Sequence, residues 1–283
     1  MGFFDIFKVI LFGIVEGLTE WIPVSNTAHL AVLEHYVNFE TYNASAMFRE
    51  LMVASAALGA VTAAALLFLP GNSLVIIKSG QGKSVSRARI MFWCVATVSF
   101  LPTLLIGLVF ADDFAEFSFA PASFRNLKMT VVAMIVGGIL YIVSELRNRR
   151  VSWLYESTEE IPYRVLLLAG LTQTVSFIPG TSRFGILILT LTALGARRAC
   201  AVSAAVFLSI PSLFLSALWP ILHHIGSASG MQVSFMLAAF IAAFFTSFFM
   251  LREIVRRLSR MELTRFGRYR IGFGILLLFF CIM

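Results

Sequence analysis

The sequence predicts an all-α polytopic membrane protein, an inverted repeat of two halves, each a broken (re-entrant) helix hairpin followed by three membrane spans. Three observations predict it. The 283 residues are 59% hydrophobic and only 13% charged, roughly half the charge of a soluble domain. The basic residues crowd into a few loops. A short phrase, Gly17-Leu18-Thr19-Glu20, recurs as Gly170-Leu171-Thr172-Gln173, each time ahead of a break that contains proline.

Apolar segments run over 3–18, 22–37, 51–69, 90–110 and 127–144, then 163–178, 184–196, 200–222, 233–251 and 271–283. Several approach the ~20 residues that span a hydrocarbon core. The first contains Asp5 and Glu16 and lacks a small-residue cleavage pattern, so it reads as mature structure and not as a signal peptide. Cys94, Cys200 and Cys281 lie in apolar segments without paired or metal-ligand spacing and read as core residues.

The net charge of +7 sits in loops: Lys78, Lys83, Arg87 and Arg89; Arg147, Arg149, Arg150 and Arg164; Arg197 and Arg198; and seven arginines over Arg252–Arg270. Excess positive charge marks cytoplasmic loops. That distribution excludes a nucleic-acid partner and makes the last run a topogenic, lipid-facing loop with no site role. Loops 38–50, 111–126 (with Asp112, Asp113 and Glu116) and 223–232 then face outward. Since 145–164 and 197–198 share one side, 163–196 must enter and leave on that side, with Pro179-Gly180-Thr181 near its tip. Pro23-Val24-Ser25-Asn26 breaks 3–37 in the same way. The halves are 1–144 and 163–283, joined by a cytoplasmic linker, 145–162.

The polar residues inside these hairpins are the site candidates, because ionisable groups at membrane depth are costly. Glu16 and Glu20, four apart, share a helix face. Protonated structural carboxyls are the bland account; a cation held between them is the functional one. Pro23 ends the helix. Ser25, Asn26 and Thr27 are all good N-caps for the next, and capping alone accounts for that triplet. His29 follows in the first turn, where it can do acid–base work. In the second hairpin Gly180 permits unusual backbone angles, Thr181 or Ser182 caps a helix starting at Arg183, and Arg183 is the only arginine of this half outside a loop. Snorkelling to an interface is its bland account. A helix start with free amides and an arginine suits phosphate.

Glu16-Gly17-Leu18-Thr19-Glu20-Trp21-Ile22-Pro23-Val24-Ser25, followed by His29, resembles the first signature of the undecaprenyl pyrophosphate phosphatases of the bacitracin-resistance type. Pro179-Gly180-Thr181-Ser182-Arg183 resembles their second. The resemblance runs over essentially the whole chain. It implies hydrolysis of undecaprenyl diphosphate to the monophosphate, which recycles the lipid carrier of cell-wall synthesis. It also implies a bacterial plasma membrane, a site open toward the outer face, and a divalent cation (Mg or Ca) held by Glu16 and Glu20. Glu20, Ser25, His29 and Arg183 would be catalytic; Asn26, Thr27, Gly180, Thr181, Ser182 and Arg183 would bind substrate, the amides of Gly180–Ser182 helping to clamp phosphate oxygens. The expected partners are the polyprenyl diphosphate lipid and the bilayer, with a homodimer left open.

This chain departs from the family pattern at Asn26, where the family has its proposed nucleophilic serine, at Phe184 and Leu187 in the second signature, and near Ala57, where a glutamine is usual. An amide cannot serve as an alkoxide nucleophile. Ser25 or Thr27 could attack instead, or metal-activated water with Glu20 as base. The alternative to an enzyme is a polyprenyl-phosphate transporter or a catalytically silent paralogue.

Overall fold

The computed structural model describes residues 3–37, 46–68, 85–109, 127–148, 152–258 and 260–282. Among these the chain forms ten α-helices and no strand. In the first half they are α1 (Phe3–Thr19), α2 (Asn26–Val37), α3 (Ala46–Phe68), α4 (Val85–Val109) and α5 (Leu127–Asn148). In the second they are α6 (Tyr163–Thr172), α7 (Arg183–Ala193), α8 (Arg198–His224), α9 (Gly230–Leu258) and α10 (Leu263–Ile282). Each apolar segment read from the sequence has its helix, with ends shifted by a few residues. Lys78, Lys83, the loop 111–126, and Arg149 and Arg150 lie outside the described residues, as do the side chains of Arg87, Arg89 and Cys281.

Met47–Phe68, Leu127–Asn148, Arg198–Ser227 and Gly230–Ile254 are long and apolar enough to cross a membrane. Helix α9 shows how such a span meets lipid: Leu237, Ile241, Phe245 and Phe249, four residues apart, form an exposed apolar stripe. Its opposite face is buried through Met236, Ala239, Ala243 and Ser247.

The principal helix contacts pair α1 with α9, α3 with α8 and α9, α4 with α6 and α8, α5 with α10, and α7 with α8. Exchanging α1–α5 for α6–α10 turns each of these pairs into itself or another of them, apart from α7 with α8, which has no counterpart in α2 with α3. The recurring Gly-Leu-Thr phrase has a matching role in the two halves. A Cβ on Gly17 would run into the Ala243 carbonyl of α9, and one on Gly170 into Ser99 of α4. The Gly17 carbonyl accepts a hydrogen bond from Ser247 (3.1 Å), and the Gly170 carbonyl accepts one from Thr103 (3.2 Å). Small residues let helices approach this closely within a bilayer.

Three readings are corrected. Arg252–Arg270 is not a loop: α9 continues to Leu258 and α10 begins at Leu263, because Leu251, Leu258, Leu263 and Phe266 carry a buried stripe through the run. Arg198 is not a free loop charge. It opens α8 and forks onto Glu145 of α5 at 2.5 and 2.6 Å, while Glu145 also accepts the Leu263 amide at 3.0 Å. Cys200 is buried as expected, but Cys94 is exposed on α4.

Candidate active site between the hairpin tips

Helix α1 ends at Thr19, ahead of Pro23, although the Glu20 amide still donates to the Glu16 carbonyl at 3.0 Å. The turn is anchored by Trp21, which is fully buried and donates through Nε1 to Ser247 Oγ (3.1 Å). The chain re-enters helix through Ser25, at φ 76°, whose hydroxyl accepts the Ala28 amide at 3.4 Å. The second tip follows the same rule after a longer turn, the 3₁₀ segment Gln173–Phe177. Gly180 has φ 97° and Ser182 has φ 68°, and the Ser182 hydroxyl accepts the Gly185 amide at 3.2 Å. Among the described residues, Ser25 and Ser182 are the non-glycine residues in the left-handed region. That conformation costs an L-residue roughly 1–2 kcal/mol. Both serines N-cap the second helix of their hairpin, Ser182 taking the role for which Thr181 was the alternative.

The tips meet at a cavity of about 150 Å³, lined by Glu16, Glu20, Asn26 and Thr27 from one side and Ser182 and Arg183 from the other. Asn26 is locked in place: its Nδ2 donates to Glu20 Oε2 (2.8 Å), and its Oδ1 accepts from Thr19 Oγ1 (3.0 Å). Thr27 joins the tips by accepting the Gly180 amide at 2.9 Å. Buried atoms on both walls lack hydrogen-bond partners among the described residues: Glu16 Oε2 on the acidic side, Arg183 Nη1 on the basic side. Such atoms are costly to leave unsatisfied.

The remaining predicted residues lie behind this wall. Ser25 is fully buried, with its hydroxyl on Thr27 Oγ1 (3.1 Å) as well as the Ala28 amide. His29 is turned toward α10: its Nδ1 meets the Ser25 carbonyl (2.7 Å), its Nε2 meets the Tyr269 hydroxyl (2.6 Å), and it stacks on Phe273. Thr181 is turned back on the Val175 and Ile178 carbonyls. The expected amide clamp is altered. The Gly180 amide is engaged by Thr27 and the Thr181 amide by the Ile178 carbonyl, so of the expected three the Ser182 amide remains open, joined by those of the first turn of α7 at Arg183 and Phe184.

Arg183 is not the only arginine of its half outside a loop. Arg270 of α10 is fully buried and donates to the carbonyls of Gly180 (2.7 Å), Thr181 (3.2 Å) and Ala133 (3.2 Å), with its guanidinium 5.2 Å from the centre of the Tyr141 ring. The sequence did hold a signal for it. Leu263, Phe266, Gly267 and Arg270 fall at i, i+3, i+4 and i+7, all buried, whereas Arg265 and Arg268 lie on the exposed face.

The departures from the family signatures separate by location. Phe184 packs edge-on against Trp21 and Leu187 is fully buried, so both face the core. Asn26 and Ala57 line the cavity.

Comparison with known proteins gives the family. The family model for the bacitracin resistance protein BacA matches residues 9–276. The chain belongs to the BacA family. It is 36% identical to an undecaprenyl-diphosphatase of Streptococcus mutans, covering 100% of this chain and 98% of that one. It is 30% identical to one of Streptococcus gordonii, over 99% and 97% of the respective chains. Identity to one of Acetivibrio thermocellus is also 30%, over 98% and 97%. This family member is therefore a multi-pass helical membrane protein with its two signatures facing each other across one cavity.

Proposed function

We propose that the chain is an undecaprenyl-diphosphatase that hydrolyses the lipid diphosphate to the monophosphate. The observation that carries this is the facing pair of walls: carboxylates and an amide from one hairpin, an arginine and a helix start from the other, in a chain of this family. Phosphoryl transfer is mainly a matter of positioning and charge stabilisation, and the cavity has both.

The apolar chain of the substrate lies along the spans, and the diphosphate enters the cavity. Arg183 and the first amides of α7 bind its oxygens, the guanidinium offering a fork that matches two of them. Asn26, at the place of the family's serine, acts by orientation: it fixes Glu20 Oε2. With Ser25 buried and Thr27 occupied as an acceptor, water is the nucleophile. Glu20 takes its proton as the oxygen attacks the terminal phosphorus. The bond from that phosphorus to the bridging oxygen breaks, the bridging oxygen leaves on the lipid monophosphate, and the proton passes to the departing phosphates.

The residues also fit a divalent cation. Glu16 and Glu20 are hard oxygen donors on one helix face, and Glu16 Oε2 is buried without a partner. Among the described residues no group of three or more His, Cys, Asp or Glu forms a closed metal site. Glu16 and Glu20 would therefore hold an ion whose other ligands come from substrate and water. When bound, it neutralises diphosphate charge.

The inverted repeat, with two re-entrant hairpins and the cavity open outward, is the topology we infer. It is supported by the exchange symmetry of the helix pairs, the matched glycine contacts and the paired left-handed serines. Loop charge sets the direction. Labelling of Ser86→Cys and Ser123→Cys from opposite sides of the membrane checks it; labelling of both from one side would end it.

The decisive assay is phosphate release by purified protein from undecaprenyl diphosphate, with and without a divalent cation. Turnover is expected, and a cation should raise it. An inactive wild type that gains activity as Asn26→Ser would replace this reading with a silenced site. Turnover that survives both Glu20→Gln and Arg183→Ala would move the site elsewhere.

A further inference from the structure

The two hairpin tips are not held by each other alone. Following hydrogen bonds outward from the cavity gives a closed ring through α10. The Gly180 amide donates to Thr27 Oγ1 (2.9 Å), and Thr27 Oγ1 meets Ser25 Oγ (3.1 Å). The Ser25 carbonyl meets His29 Nδ1 (2.7 Å), and His29 Nε2 meets the Tyr269 hydroxyl (2.6 Å). Tyr269 adjoins Arg270 in the chain, and Arg270 returns to the Gly180 carbonyl (2.7 Å). The ring passes through one left-handed residue in each tip, Ser25 in the first and Gly180 in the second.

We propose that Tyr269 and Arg270 are positioning residues for hydrolysis, together fixing the register of the acidic tip against the basic one. Three features argue for this. Strained backbone persists only where its surroundings over-determine it, and both tips carry such strain. Arg270 is a fully buried cation held by backbone carbonyls, with no carboxylate paired to it among the described residues, and burial of that kind is expensive. Two of its acceptors, Gly180 and Thr181, immediately precede the cap of the helix that carries Arg183. Its third, Ala133, lies on α5, so the tip is tied to the α5–α10 pair and not only to its own hairpin. Tyr269 does the corresponding work on the other side, since His29 transmits its hold to the carbonyl of Ser25. Neither residue lines the cavity, so neither is a catalytic residue.

The inference rests on the phosphatase reading for its kinetic arm only. Hydrogen–deuterium exchange on full-length protein in detergent tests the positioning directly. In Arg270→Met, exchange should rise about tenfold or more in peptides covering 174–186, with α3 and α9 unchanged, as expected when one cooperative unit is loosened. Tyr269→Phe should do the same for 20–30. If Arg270→Met does not fold, Arg270→Lys, which keeps the charge but loses the fork, takes its place with a smaller rise at the same peptides. In the kinetic arm, Arg270→Met should lower kcat about 100-fold with KM little changed, and Arg270→Lys should recover part of it, because small misplacements of reacting groups have effects of that size. A cycle of Arg270→Lys with Arg183→Lys should be non-additive. Unchanged exchange at both tips in folded variants would overturn the proposal, as would additive kinetics or full activity of Arg270→Met. A wild type without turnover defeats the phosphatase reading while leaving the exchange result to decide this one.

Discussion

The two hairpins use one backbone device for opposite electrostatic ends. Each stops a helix, turns, and restarts through a serine at φ near 70° that caps the next helix. The first presents Glu16, Glu20 and Asn26; the second presents Arg183. Their internal support differs as well. The first tip has a local staple, with Thr19, Glu20 and Asn26 bonded among themselves, in addition to its distant ties from Trp21 to Ser247 and from His29 to Tyr269. The second has a longer turn and takes its support from Arg270, 90 residues away along the chain. The two tips share one backbone geometry, and local sequence divides the chemistry between them. The residue that follows the left-handed serine is Asn26 in one half and Arg183 in the other. The residue matching Glu20 is Gln173, which is buried and accepts from Ser212 (2.7 Å) instead of facing the cavity.

The largest expected effect comes from removing one pole. Arg183→Ala and Glu20→Gln should each lower kcat/KM by about 10³-fold, the range seen when a charge-stabilising group leaves a phosphoryl-transfer site. Comparable loss from both would show that the poles act on one transition state, whereas full retention in either variant would break the comparison. A smaller effect belongs to Asn26→Ala, which leaves Glu20 without its 2.8 Å partner. A fall of about tenfold in kcat with KM nearly constant is expected if orientation is its role; an unchanged kcat would remove that role.

The serines should behave alike in stability and not in chemistry. Ser25→Ala and Ser182→Ala each lose a cap while keeping the strained φ, and should destabilise by about 1 kcal/mol. The glycine variants relieve φ and should lie within a few tenths of wild type. Thermal melts in detergent read this, and a large difference between the two sites would contradict their equivalence. Smallest of all is Arg49→Ala. Arg49 pairs with Glu34 at 3.2 Å where both line the cavity, and both are partly exposed. A pair of that kind contributes about 0–1 kcal/mol, so KM should move no more than about fivefold.

Much of this was legible in the sequence, for physical reasons that also mark the boundary of what was not. Helix positions followed from apolar runs, and the cavity-lining residues Glu16, Glu20 and Arg183 from charge where hydrocarbon disfavours it. The capping serines were named but not their left-handed backbone, since nothing in Ser25 or Ser182 alone demands positive φ. Arg270 was hidden by its neighbours: amid seven arginines it looked like loop charge. Only the i, i+3, i+4, i+7 placement with Leu263, Phe266 and Gly267 separates it from Arg265 and Arg268. His29 lies close to the carboxylates in sequence, yet the helical turn after Ser25 directs its ring to Tyr269 and Phe273. Distance along the chain was a poor guide to direction in space.

The bond from the Gly180 amide to Thr27 joins residues 153 positions apart. During biosynthesis the first hairpin is made long before its counterpart, so at that stage Thr27 has no such donor. Arg270 is translated later still, 90 residues after the carbonyl it holds. Contacts this distant in sequence close slowly and late. A chain truncated anywhere before the last helix therefore lacks Arg270 and the hold it gives the second tip.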